Sequence, residues 1–172
     1  MIKLVLDTDV IVAAMRSPIG ASAALLGEAL KKRLILLASV PLFIEYEAKC
    51  TESEHLTAAG LTQLQSQMFL DGIAAIVQPV KTHYLWRPML HDPNDEMVLE
   101  IAVNGGADAK MAKRDGTSLN QFISMAVAEK ISALETEEFF RERAKRANLK
   151  MFEDILYRQG GESPREGDEV EK

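Results

Sequence analysis

Two short apolar runs in the first part of the chain have the pattern of buried β-strands. Ile2–Leu6 and Leu34–Ala38 consist mainly of leucine, isoleucine and valine, and a polar residue follows each run. Between them, Gly20–Lys32 combines alanines and leucines with a basic end, which is typical of a helix. A strand, a helix and a second strand in succession predict a parallel sheet. We therefore expect the α/β fold class.

The rest of the pattern predicts mainly helices, several of which begin at capping residues or prolines. We expect helices over Ser39–Lys49, Glu54–Leu70, Pro93–Asn104, Thr136–Arg146 and Leu149–Tyr157, with a short strand within Ile73–Val80. The alternating charges after Gly161 predict a disordered tail. The chain then divides into an α/β domain (1–108), a helical extension (109–160) and a tail (161–172).

The composition narrows the class of protein further. Hydrophobic residues make up 47% of the chain and charged residues 27%, as in soluble globular proteins. No apolar run approaches the roughly 20 residues of a membrane helix, and the single Cys50 fits a reducing compartment, so we expect a cytoplasmic protein. The net charge of -6 argues against a general polyanion-binding surface, and the interleaved charges of residues 141–146 favour a solvated helix face over a nucleic-acid contact.

Acidic residues stand where parallel strands would expose them. Asp7 and Asp9 directly follow the first strand, and ligands of open α/β sheets bind at the carboxyl ends of strands. The position of either residue is explained equally well by a ligand-binding role and by capping of the helix that follows. Glu45 and Glu47 lie two positions apart on a predicted helix, so at most one of them points to a common site, and spacing does not choose between them.

A third group of acids opens the helix that begins at Pro93. Asp92 fits the N-cap and Glu96 the first turn, where negative charge is stabilised by the helix dipole. Capping alone accounts for these two residues. Asp95 is the acid that we assign to function.

The order of these features resembles PIN-domain proteins, and in particular the VapC-like toxins of toxin–antitoxin systems. The resemblance covers about residues 1–108: an apolar strand, Asp7-Thr-Asp9, a glutamate in the third helical segment, Asp92-Pro-Asn-Asp95, and Gly-Gly-Ala-Asp108. It implies a three-layer α/β/α fold and acids that bind Mg²⁺ or Mn²⁺ and cleave single-stranded RNA. By position in the motif, Asp7, Glu45 and Asp95 match the metal ligands and catalytic acids, with Asp9 and Asp92 as accessory residues.

One part of the family pattern is missing. In the family, Gly-Gly-Ala-Asp precedes another buried strand that ends in a further acid, whereas residues 109–116 are polar and favour a helix. We therefore expect a parallel sheet that lacks its last strand. Because a carboxylate is lost with that strand, the resemblance implies an endoribonuclease whose activity is weakened or lost.

The chain from Ala109 onward resembles the C-terminal part of HicB-like ribbon-helix-helix antitoxins, on residues 112–123 and 126–130. A capping box at Ser118 and an apolar helical stripe from Leu119 to Ile131 accompany the resemblance. It implies a homodimer formed through the C-terminal helices. The ribbon that reads DNA in that family is absent, which argues against specific DNA binding.

Two functions follow as expectations. The first is a PIN-type endoribonuclease that depends on Mg²⁺ or Mn²⁺. The alternative is a non-enzymatic toxin–antitoxin fusion, a self-neutralised or antitoxin-like dimer that binds a cognate toxin or antitoxin. DNA binding for autoregulation ranks third because the chain is acidic.

Overall fold

The computed structural model describes residues 1–81 and 134–170. Within them, three strands form a parallel sheet: β1 (Ile2–Val5), β2 (Leu34–Ala38) and β3 (Val77–Pro79), in the order β1-β2-β3. Ile2 pairs with Leu34, and Leu36 pairs with Val77. The parallel α/β class predicted from the strand-helix-strand pattern is confirmed.

The helices between the strands start and stop where the sequence signals indicate. Helix α1 is Thr8–Arg16, α2 is Ala21–Leu30 and α3 is Val40–Cys50. The Ser39 side chain caps α3 by accepting a hydrogen bond from the Leu42 amide at 3.4 Å. Strand β2 lies in the middle of the sheet, where Leu36, Leu37 and Ala38 are almost fully buried.

The single helix predicted over Glu54–Leu70 is wrong, because two helices occupy this stretch. Helix α4 (Ser53–Ala59) ends at Gly60, whose φ of 64° is a left-handed conformation that favours glycine. Helix α5 (Gln63–Ile76) then begins with a capping box in which Thr62 and Gln65 exchange hydrogen bonds. Helix α5 extends through the first half of the stretch Ile73–Val80 in which a short strand was predicted, and β3 occupies three residues of the second half.

Two further helices from the end of the chain pack against the α/β domain. Residues 134–146 are helical (α6), and Leu149–Leu156 form α7. Phe152 is fully buried against α5, where a Cβ on Gly72 would come within 2.3 Å of its ring. The α6–α7 pair therefore belongs to the core of the described structure, as a helical C-terminal part.

The prediction of a solvated face on α6 is confirmed for Arg141, Lys145 and Arg146 but wrong for Arg143. The Arg143 side chain is only 12% exposed and forms ion pairs with Glu47 and, at 3.1 Å, with Asp71. Its guanidinium also lies over the rings of Phe43 and Phe139, at 5.0 and 5.5 Å from their centroids. Arg143 thus joins α6 to α3 and α5.

The expectation of a disordered tail over 161–172 has to be corrected for residues 161–170. Glu162 binds the buried Arg16 through two hydrogen bonds of 2.5 and 2.8 Å. The Asp168 carboxylate accepts a hydrogen bond from the Ser22 amide at 2.7 Å. A residue near the C-terminal end of the chain thus caps the N-terminus of α2. Composition alone predicted disorder, but these long-range contacts hold the segment against the α1–α2 turn.

Several expectations lie outside the described residues. These are Asp92, Asp95, the missing last strand, and the apolar stripe from Leu119 to Ile131. The boundaries of the α/β domain and of the helical extension also stay predictions. In the two ranges that the structure describes, no single helix is long and apolar enough to cross a membrane; α1 and α2 together have the length and composition, but they meet at 97°.

Candidate functional site

Asp7 lies at the carboxyl end of β1, where the chain passes from the sheet into α1. Its side chain caps that helix by accepting a hydrogen bond from the Thr8 amide at 2.8 Å. The residue is nevertheless exposed to solvent. The capping explanation is therefore correct for Asp7, but it engages only one carboxylate oxygen, and no residue of 1–81 or 134–170 forms a hydrogen bond with the other.

Helix α3 gives Glu45 and Glu47 different surroundings. Its buried side chains are Leu42, Phe43, Tyr46 and Cys50, a helical stripe that turns inward and leaves the two glutamates on either side of Tyr46. Glu47 pairs with Arg143 on α6. Glu45, which is half-buried, acts electrostatically on the Tyr46 hydroxyl together with Asp7. Of the two glutamates, Glu45 is the one that acts together with Asp7 on the pKa of Tyr46.

The Tyr46 hydroxyl connects this part of α3 to the end of β1. It donates a hydrogen bond to the carbonyl oxygen of Leu6, the residue directly before Asp7. Burial raises the pKa of Tyr46 above its usual value, and the negative charges of Asp7 and Glu45 raise it further. The hydrogen bond therefore joins the backbone segments that carry Asp7 and Glu45.

Asp9 and Lys49 lie at the edge of this group. Asp9 is exposed in the first turn of α1. The pKa of Lys49 is raised chiefly by its hydrogen bond to Glu52, at 2.9 Å, and more weakly by Glu45 and Asp9. The accessory acid Asp9 therefore contributes negative charge on the same side of the molecule as Glu45.

Cys50 follows on the same helix but does not belong to the site. It is fully buried, and burial raises the pKa of its thiol to about 12. A neutral, enclosed thiol is a poor metal ligand and nucleophile. Cys50 is a small core residue.

The donor atoms suit a hard divalent cation in type, since carboxylate oxygens are the ligands that Mg²⁺ and Mn²⁺ prefer. The Thr8 hydroxyl, beside Asp7, is buried without a hydrogen-bond partner among the described residues. In residues 1–81 and 134–170 there is no group of three or more His, Cys, Asp or Glu side chains that could hold a metal ion. The third expected ligand, Asp95, lies outside those ranges.

The role of Tyr46 is the part of this site that sequence reasoning missed. A signal was present, because Leu42, Phe43, Tyr46 and Cys50 follow the spacing of an inward helical stripe. That stripe would have placed Tyr46 inward, with a glutamate on each side. Its hydrogen bond to Leu6 could not be predicted, because it joins residues 40 positions apart.

The fold and the site together define an α/β protein with acidic side chains at the carboxyl end of its first parallel strand. The sequence model of the PIN domain matches residues 3–109, and the chain belongs to the PIN-domain family. No match was found among curated proteins or among solved structures.

Membership in this family indicates a nuclease-like function, which in PIN domains is often part of a toxin–antitoxin system. PIN domains typically use divalent metal ions and generally bind RNA. The finer assignments, to the VapC-like toxins and to a fusion with a HicB-like antitoxin, go beyond this match.

Proposed function

We propose that this protein is a divalent-metal-dependent endoribonuclease of the PIN toxin class, with activity reduced by the loss of the last strand that the sequence predicts. Asp7, Glu45 and Asp95 would hold Mg²⁺ or Mn²⁺, with Asp9 and Asp92 as accessory acids. The substrate is single-stranded RNA. The observation that carries the proposal is the hydrogen bond from Tyr46 to the carbonyl of Leu6, which joins the segment that carries Glu45 to the segment that carries Asp7.

The placement of Asp7 supports its role as a ligand. The Thr8 amide fixes one carboxylate oxygen at 2.8 Å, which orients the side chain before any ligand arrives. Asp7 is exposed, so a cation and an RNA phosphate can reach it. Its dual use as cap and ligand costs the helix little, because a carboxylate has lone pairs for both.

The placement of Glu45 supports the second ligand. It projects from α3 beside the inward-facing Tyr46, whereas Glu47 is neutralised by Arg143. A bound divalent ion supplies an activated water and stabilises the in-line displacement at phosphorus. The protein's own contribution is to hold the acids in place, and none of the three acts as a dedicated general acid or base.

RNA cleavage by matched variants tests the proposal. The wild type, Asp7→Asn, Glu45→Gln and Glu47→Gln are incubated with single-stranded RNA and Mn²⁺, and a chelator serves as a further control. We expect slow cleavage by the wild type and by Glu47→Gln, and none by Asp7→Asn, by Glu45→Gln or in the presence of chelator. Equal cleavage by all four proteins would identify a contaminant and refute the assignment.

A second candidate function has its own observation. Helices α6 and α7 and residues 161–170 bind the α/β domain of their own chain through Arg143, Glu162 and Asp168. This cis contact favours a self-neutralised toxin–antitoxin fusion without enzymatic activity. In that case the wild type cleaves no RNA and binds a cognate toxin or antitoxin instead.

The expected homodimer belongs to both candidate functions. It would form through the C-terminal helices, and its apolar stripe lies outside the described residues. Light scattering after size exclusion measures it directly: a dimer mass supports the expectation, and a monomer mass at working concentrations contradicts it.

A further inference from the structure

We propose that Tyr46 is a positioning residue of the acidic site, and that its hydrogen bond to Leu6 sets the spacing between the carboxylates of Asp7 and Glu45. The inference rests on the proposed function, because it assigns to Tyr46 the geometry of the same metal site. The Tyr46 hydroxyl itself would not bind the metal or the RNA.

The hydrogen bond lies one residue away from each acid. Tyr46 directly follows Glu45, and its acceptor is the carbonyl of Leu6, which directly precedes Asp7. The bond therefore joins the two backbone segments that carry the carboxylates. If α3 slid or tilted against the end of β1, the distance between the acids would change by a similar amount.

The surroundings give this bond little freedom. Tyr46 is 2% exposed and Leu6 is 7% exposed, and the Tyr46 ring packs against Phe43 with a centroid distance of 5.9 Å. Tyr46 and Leu6 also line a cavity of about 10 Å³ whose other walls are apolar. A water molecule that replaced the hydroxyl would have little space and few hydrogen-bond partners there.

A purely structural hydroxyl that is hydrogen-bonded to the same helix, α3, provides a matched comparison. The fully buried Ser66 of α5 donates a hydrogen bond to the carbonyl of Cys50 at 2.9 Å. Like the bond of Tyr46, it fixes α3 to a neighbouring element through a backbone carbonyl. Cys50 is the last residue of α3, however, five positions after Glu45, so this bond joins neither of the segments that carry Asp7 and Glu45.

The experiment compares Tyr46→Phe with Ser66→Ala in the full chain, with Mn²⁺ alone as the probe. Free Mn²⁺ is measured by electron paramagnetic resonance without RNA, and thermal unfolding reports the stability of each variant. We expect both variants to lose stability. Only Tyr46→Phe should raise the Kd for Mn²⁺, by about tenfold, as the loss of an outer-shell contact to a ligand typically does. With RNA present, its kcat should fall while KM for RNA is unchanged.

The outcomes separate this inference from the proposed function. Wild-type Mn²⁺ affinity in Tyr46→Phe, or equal weakening in both variants, would overturn the positioning role and leave the proposed function standing. A wild-type protein that binds no Mn²⁺ would overturn both.

If Tyr46→Phe does not fold, 4-fluorophenylalanine at position 46 fills the place of the hydroxyl but cannot donate the hydrogen bond. A Kd for Mn²⁺ above that of the wild type then supports the positioning role. An unchanged Kd contradicts it.

Discussion

Replacing Arg143 by alanine tests how the C-terminal helices are attached to the α/β domain. The change removes a guanidinium that is 12% exposed and pairs with Glu47 and Asp71, whose side chains are 34% and 15% exposed. It also removes the contacts with two phenylalanine rings. Two carboxylates then lose a cation in a partly desolvated environment.

The magnitude follows from burial and from the contacts that remain. Breaking a fully buried ion pair costs about 3–5 kcal/mol. The cost is lower here because Glu47 reaches solvent and Arg146 still lies 3.4 Å from Asp71. With the cation–π contacts included, we expect Arg143→Ala to lower the free energy of unfolding by about 2–3 kcal/mol.

Urea and thermal unfolding measure this loss. For a chain of this size it corresponds to a fall in Tm of about 4–12 °C. Arg141→Ala on the same helix is the matched control. The Arg141 side chain is 57% exposed, and its ion pair with Glu138 is long, at 3.8 Å. An exposed pair of this kind contributes about 0–0.5 kcal/mol. Equal effects of the two variants would refute the attachment through Arg143.

Three further predictions concern the C-terminal segment. Asp168→Ala should cost about 1 kcal/mol in urea unfolding, because the Ser22 amide loses its cap; an unchanged midpoint contradicts this. The hydrogen bond between Glu162 and Arg16 lowers the pKa of the Glu162 carboxyl below the ordinary 4.5. This contact therefore stabilises the protein fully above pH 4.5, and the stabilisation is lost as the pH falls through the lowered pKa. A carbon-13 NMR titration that placed the pKa of Glu162 at or above 4.5 would exclude the contact. Gly20→Ala should destabilise by about 1–3 kcal/mol, because its Cβ would come within 2.1 Å of the Asp168 carboxylate. In an Asp168→Ala background the same change should add little further cost; additive effects of the two changes would contradict the contact.

The local elements of the α/β domain could be predicted where the signals are local. Strand β2 has the predicted bounds of Leu34–Ala38, and α3 begins at Val40, one residue after the predicted start at Ser39. The division between α4 and α5 was missed, although Gly60 and the capping box from Thr62 to Gln65 are visible in the sequence. The hydrophobic pattern continues through Gly60 and therefore predicted one helix. The left-handed backbone at Gly60 shows that α4 ends there.

Long-range contacts could not be predicted in the same way. The choice between Glu45 and Glu47 depended on a partner, Arg143, that lies 96 positions after Glu47. The ordering of the last residues depended on Arg16, 146 positions before Glu162. Composition and spacing carry no information about such pairs, because they form only when the core brings distant elements together.

The most direct test of the central claim is a crystal of the protein soaked in Mn²⁺, with the ion located by its anomalous scattering. The account predicts one Mn²⁺ bound by carboxylate oxygens of Asp7 and Glu45, at about 2.1–2.2 Å from each. It also predicts that the peak disappears in a crystal of Asp7→Asn. An ion bound elsewhere, or none at these two carboxylates, would contradict the account.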